Sequence, residues 1–214
     1  PTWAFSHHDV VRHVTRWAKQ GLNDEALARL AGALLLSLQG SICVYQGEEL
    51  GQTETELEYF ELDDPQGRRF WPENKGRDGC RTPMVWITDN LNGGFSDAKP
   101  WLPVSMDHLS HSVSAQEGDA RSVLAFYRRM IAFRKQHPVL AKGGFELRAT
   151  TPDCLAFERT LGGKRMFCAF NFSNIDQTLA LPAGNWHLVP GTSFSGNVEA
   201  AGAYLPACQA LFAE

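Results

Sequence analysis

Between residues 2 and 47 the sequence reads as a strand, a helix and a second strand, and no further parallel strand follows before the pattern changes at Gly143-Gly144. Residues 2–6 form an apolar, aromatic run too short for a helix. Asn23-Asp24 supplies a cap, and Ala26, Leu27, Leu30, Ala31, Leu34, Leu35 and Leu38 then recur at helical spacing up to a stop at Gly40. Residues 41–47 are a second continuous apolar run. Strand, helix and strand on short links predict a parallel crossover unit. Two parallel strands bury little surface and are seldom stable alone. The expectation is therefore the tail of a larger α/β domain, with the polar cluster His7-His8-Asp9 at the C-terminal end of a barrel strand, where barrel enzymes keep their chemistry.

The rest of the chain divides in two. Residues 47–118 are polar and rich in Gly, Pro and Asp, with Phe70, Trp71, Trp86, Phe95 and Trp101 scattered through them. A long irregular segment of this kind is functional or disordered, and the aromatics argue against disorder. A second helix is expected from about Asp119 to Gln136, with Val123, Tyr127, Met130 and Ile131 on one face, ended by His137-Pro138. After Gly143-Gly144 the period becomes two: FELRA, CLAFERT, MFCAFNF, TLALPAG, WHLVPG and CQALFAE read as short antiparallel strands. The boundaries expected are thus 1–142 for the α/β part and 143–214 for an all-β antiparallel sandwich.

Composition excludes several functions. The chain is 43% hydrophobic and 21% charged with net charge -4, a globular profile without the basic stripe that nucleic acid or an anionic membrane surface requires. Its longest apolar run, residues 30–38, is far short of the ~20 residues of a membrane span. Five scattered cysteines form no metal-ligand spacing and favour free thiols. A Gly162-Gly163 turn pairs Phe157 with Cys168 and Asn171 with Cys154, so those two sulfurs do not meet.

Several stretches together resemble a known family. FSHHDVVRHVTRW (residues 5–17) is similar to the segment after the seventh strand of the α-amylase family of retaining glycoside hydrolases, and ICVYQGEELG (42–51) to its eighth strand and exit loop. GRDGCRTPMVW (76–86), GFSDAKPWLPV (94–104) and LAFYRRMIAFRKQHPVL (124–140) resemble the α-glucosidase and oligo-1,6-glucosidase branch. The resemblance covers essentially the whole chain in the family's order. It implies the last strands and helices of a (β/α)8 barrel followed by a β-sandwich.

The resemblance also implies roles. Asp9 becomes the family's third carboxylate, which supports an oxocarbenium-like transition state by clamping sugar hydroxyls. His8 becomes a hydroxyl ligand of the sugar at the cleavage point. Read without the family, His8-Asp9 is a strand-end hydrogen bond or a helix cap. His7 departs from the family's usual asparagine. Arg77 is expected to hold the non-reducing end of glucose together with an aspartate from early in the barrel, and Arg81 stands between a site role and a scaffold role. Arg12 reads as structural, pairing with a carboxylate near the strand end. Glu48 and Glu49 are adjacent on what reads as an extended segment, point opposite ways and cannot flank one bond. The nucleophile aspartate and the acid glutamate belong to earlier strands outside this chain.

These readings imply part of a retaining α-glucosidase acting on short oligosaccharides. A sucrose isomerase or glucosyltransferase of the same family shares the covalent intermediate, and a non-catalytic carbohydrate-binding module is the reading from a different class. The partners implied are an oligosaccharide and the N-terminal portion of the same enzyme, with no nucleic acid and no membrane. The residues here require no cofactor or metal, and a structural calcium or magnesium site is left to the N-terminal part. A cytoplasmic location is expected; a periplasmic one stays open, since any signal would lie in that N-terminal part.

Overall fold

The structure is a computed structural model and describes residues 1–18 and 21–214. The chain runs through β1 (Thr2–Trp3), α1 (His13–Trp17), α2 (Asp24–Ser37) and β2 (Ser41–Ile42). Short helices α3 (Pro65–Arg69), α4 (Met106–Leu109) and α5 (Val113–Gln116) precede α6 (Val123–Gln136) and α7 (Pro138–Lys142). Strands β3 (Gly144–Thr150), β4 (Cys154–Leu161), β5 (Lys164–Asn171) and β6 (Gln177–Leu179) follow. The last are β7 (Asn197–Glu199), β8 (Gly202–Leu205) and β9 (Ala210–Ala213). The residues gather into two compact units. One holds β1, α2, β2 and residues 126–214, and the other holds residues 4–18 and 44–125.

In the first unit β1 and β2 pair in parallel, Thr2 with Ser41 and Trp3 with Ile42. Both strands are shorter than the apolar runs predict, and Thr2, Trp3 and Ser41 are exposed. Among the described residues neither strand has another neighbour, so the rest of each run has no ladder to join. Helix α2 forms as its pattern predicts, with the Asn23 side chain accepting from Ala26 N at 3.0 Å and Leu27, Leu30, Ala31 and Leu35 fully buried. Its last carbonyls are satisfied from α6. Arg134 donates to the carbonyls of Leu36, Leu38 and Gly40 at 2.6, 2.8 and 2.5 Å.

The antiparallel half is a sandwich of two sheets, ordered β3-β4-β5-β9 and β6-β8-β7. Ala156, Phe167, Ala169 and Leu211 of the first sheet are buried with Leu179, Ala203 and Leu205 of the second, and with Trp186. The alternate residues Phe157, Phe170 and Phe212 form a second aromatic layer, which Phe133 of α6 joins 5.3 Å from Phe212. Gly162 and Gly163, at φ 56° and 82°, make the tight turn between β4 and β5. The register sets Phe157 opposite Cys168 and Cys154 opposite Asn171, and all five cysteines are free.

Three local readings are corrected. The segment WHLVPG contributes only an isolated bridge between Leu188 and Ala213. The β7–β8 hairpin arises instead from a stretch rich in Ala and Gly whose pattern carries no strand signal. Helix α6 starts at Val123, not near Asp119, because Ser122 Oγ accepts the Ala125 amide at 3.1 Å and so caps it there.

The second unit gives the irregular stretch a fixed course. Single 3-10 turns at Glu48–Leu50, Tyr59–Glu61, Asp78–Cys80 and Leu91–Gly94 punctuate it, and small apolar clusters pack within it. Leu50, Met84 and Leu124 form one of these, and Leu57, Leu62 and Leu102 another.

Candidate active site

The site is built where the chain leaves β1. Arg12, just past the polar cluster, is fully buried. Its guanidinium donates to the carbonyls of Gln46 at 2.9 Å and Cys80 at 3.1 Å, and lies 5.0 Å from the centre of the Tyr45 ring. It is structural as expected, but its partners are carbonyls and not a carboxylate. A backbone turn has few other donors to satisfy it, and a buried Arg with five N–H groups can do so. The Glu54 carboxylate accepts instead from the Arg12 amide, at 2.9 Å. Arg12, at the start of α1, is thereby tied to the turn that carries Arg77 and Arg81.

That turn explains the four-residue spacing of the two arginines. Asp78–Cys80 is one 3-10 turn with Arg77 before it and Arg81 after it, so both guanidiniums reach the same side. Arg77 Nη1 donates to Asp9 Oδ1 at 3.0 Å and Arg81 Nη2 to the same oxygen at 3.1 Å. Arg81 Nε also donates to the His8 carbonyl at 2.7 Å, so it touches Asp9 and braces the backbone. The other Asp9 oxygen, Oδ2, lies 3.2 Å from His8 Nε2, and the carboxylate stays 43% exposed. Partial burial pushes Asp9 up, but the Arg77 bond, His8 and Arg81 outweigh it and hold the group below its ordinary value. It is a fixed, ionised carboxylate open to a ligand.

His7 makes a local backbone bond instead of joining the Arg77–Arg81 contact on Asp9. Its Nδ1 accepts the Asp9 amide at 3.2 Å, the i to i+2 bond that an asparagine side chain also makes in a turn. The departure from asparagine thus preserves the local bond.

Asp64 is the site residue that sequence reasoning did not find. It is buried, and it receives Arg77 through Nε to Oδ2 at 2.8 Å and Nη2 to Oδ1 at 3.2 Å, with the Arg77 amide adding 2.9 Å to Oδ2. These bonds, the Arg77 side chain first, push its pKa down to about 2 against the effect of burial. Gly76 makes the approach feasible. Its φ is 73°, and a Cβ there would stand 2.8 Å from Asp64 Oδ2. In the sequence Asp64-Pro65 reads only as an N-cap before a proline at the first helical position, and Asp64 Oδ1 does accept from Gln66 N at 3.1 Å. Asp78 lies beneath, fully buried, its Oδ2 accepting the amides of Asp63 and Asp64 at 2.7 Å each.

Glu48 and Glu49 sit on a 3-10 turn and not on an extended segment. Glu48 is buried, with Oε2 accepting the Tyr45 amide at 3.1 Å, and its Oε1 lies 3.6 Å from His13 Nδ1. Burial, Arg16 and Arg12 push His13 down to about 4, so at pH 7 this contact is not a charge pair. Donor atoms of His7, His8 and Asp9 lie within 4.8 Å of one another. Two guanidiniums on Asp9 Oδ1 repel a cation there, which makes the trio a poor metal cage.

The family model for the alpha amylase catalytic domain matches residues 1–143. A probable alpha-glucosidase of Rhizobium meliloti (strain 1021) is 50% identical over 212 residues, covering 99% of this chain and 38% of the relative. An oligo-1,6-glucosidase of Parageobacillus thermoglucosidasius is 31% identical over 196 residues, covering 83% of this chain and 35% of the relative. The crystal structure of the alpha-glucosyl transfer enzyme XgtA superposes with a TM-score of 0.94 at 44% identity, covering all of this chain and 40% of that one. The chain thus spans about two fifths or less of the length of these proteins. It belongs to the α-amylase family, with β1, α2 and β2 as part of the family's (β/α)8 barrel and the antiparallel sandwich following it.

Proposed function

We propose that the protein carrying this chain is a retaining α-glucosidase that releases terminal, non-reducing α-linked glucose from short oligosaccharides. In this reading residues 1–142 complete its catalytic barrel and residues 143–214 form its C-terminal β domain. The observation that carries it is the grip of Arg77 and Arg81 on Asp9 at a strand end. A solvated surface carboxylate has no use for two converging guanidiniums, whereas a carboxylate that must clamp sugar hydroxyls as positive charge develops on the ring needs fixed geometry and full ionisation. Asp9 then binds the distorted ring, and His8 and Arg77 bind hydroxyls of the same glucose. Arg81 fixes Asp9 and its backbone. The nucleophile aspartate and acid glutamate come from the N-terminal portion. One attacks the anomeric carbon as the other protonates the leaving oxygen, and water then opens the glucosyl ester.

A second reading has specific support, since the relative of known structure at 44% identity is described as an alpha-glucosyl transfer enzyme. Transfer and hydrolysis share the glucosyl ester and differ in the acceptor. Product analysis of the full-length enzyme on maltose separates them. Hydrolysis gives two glucose molecules, of which the one from the non-reducing unit is first released as the α anomer by proton NMR, while the other keeps the anomeric ratio of the maltose. Release of the non-reducing unit as the β anomer overturns the retaining mechanism, and a lengthened or rearranged sugar in place of glucose selects transfer.

A further inference from the structure

The unit that holds the Asp9 site has a concavity of about 650 Å³, whose lining includes Phe60, Asp63, Asn90, Lys99, Trp101 and Met106. A single joint connects the two. Asp64 grips Arg77, while the adjacent Asp63 accepts from the indole N–H of Trp101 and from Arg68 at 2.7 Å. Trp101 is 62% exposed, yet its one polar atom is bound to Asp63. The ring is therefore fixed in orientation with apolar surface presented outward. Phe60 is 80% exposed on the turn Tyr59–Glu61, which a reciprocal capping box between Glu58 and Glu61 closes. The Trp101 ring is thus fixed and Phe60 stands on a closed turn, both with their surfaces bare, the signature of a surface that something covers.

The chemistry of the lining selects the class of ligand. A pyranose offers a C–H face that suits the negative face of an aromatic ring, and a rim of hydroxyls that both donate and accept. Asp63, Asn90 and Lys99 are the matching polar groups, and they include both signs of charge. A charged ligand would meet a like charge on this rim, and an apolar peptide would leave its charged groups unpaired. The volume lies within the range of small-ligand sites.

We propose that this cleft is a second oligosaccharide subsite, with Trp101 and Phe60 as stacking platforms, which holds glucose units of a longer chain away from the bond being cleaved. The proposal rests on the reading of the enzyme as an α-glucosidase and adds to it a preference for longer substrates. In the full-length enzyme, Trp101→Ala is expected to lower the ratio of kcat/KM for maltotetraose over that for maltose about tenfold, a common cost of truncating an aromatic anchor. The change should fall in KM, and Trp101→Phe should recover most of it. Phe60→Ala, at an exposed position that leaves the fold undisturbed, should shift the ratio in the same direction. An unchanged ratio in both alanine variants overturns the proposal. If the parent turns over neither sugar, the α-glucosidase reading fails, and calorimetric titration with maltotetraose still decides the cleft. Weaker binding in Trp101→Ala and Phe60→Ala supports it, and equal binding in parent and variants refutes it.

Discussion

Arg77 spans two carboxylates with one guanidinium, a fork on Asp64 and a single bond to Asp9. That arrangement suits a residue that must keep its orientation while a sugar arrives, because Asp64 holds the fork whether or not the pocket is filled. Removing it leaves Asp64 buried and uncompensated and, on the proposed reading of the site, strips a donor from the sugar's far hydroxyls. Arg77→Ala should therefore lower kcat/KM for maltose by at least about tenfold, and Arg77→Lys should restore only part, since an ammonium cannot reproduce the fork. The control is maltose lacking the terminal 4-hydroxyl. It should be a poor substrate for the parent yet little worse for Arg77→Ala, because both lesions delete one contact, whereas additive losses place Arg77 elsewhere. Long contiguous motifs group His8, Asp9, Arg77 and Arg81 in the sequence reading, and the structure brings these four together. Asp64 was not among them. Its role comes from a loop closure that brings residues thirteen apart together over a glycine, and no local pattern encodes that.

At the scale of elements, α1 is held by a buried polar core. His13 has Nδ1 2.9 Å from Ser6 Oγ and its amide on the same oxygen, and burial keeps its pKa near 4, as it does for His108. A histidine that is neutral when folded and ordinary when unfolded takes up protons on unfolding. Stability is thus fully present above the unfolded value near 6.5 and falls as pH drops toward 4. Each histidine accounts for on the order of 3 kcal/mol across that window. Glu49 and Glu54, pushed up by burial, act in the opposite sense over its lower part, so a comparison with a variant isolates the histidine. Denaturant titrations at pH 7 and pH 5 should show a smaller difference for His13→Gln than for the parent. An identical difference would mean that His13 binds protons equally in the folded and unfolded chain, against the burial-lowered value. Helix α2 and the β4–β5 hairpin were readable to within a residue or two because period and turn chemistry agree there. The parallel pairing of β1 and β2 was readable, but their extent and the β7–β8 hairpin were not. The length of β1 and β2 depends on neighbours, and the hairpin's Ala-rich strands are made by packing, with little propensity of their own.

At the scale of the whole molecule, a two-residue parallel ladder and a closed sandwich share one chain that spans about two fifths or less of its relatives. Among the described residues no helix is long and apolar enough to cross a membrane. If the account is correct, this chain brings the transition-state carboxylate and the sugar clamp, and the N-terminal portion brings the attacking and proton-donating groups. Chemistry then requires both, and no single substitution in this chain removes the covalent step itself. The most direct test is Asp9→Asn in the full-length enzyme, which keeps the shape and the hydrogen-bonding oxygen but loses the charge. The account predicts that kcat on maltose falls by on the order of 10³-fold with an unchanged melting temperature. A loss below about tenfold would contradict it and reduce Asp9 to a strand-end cap.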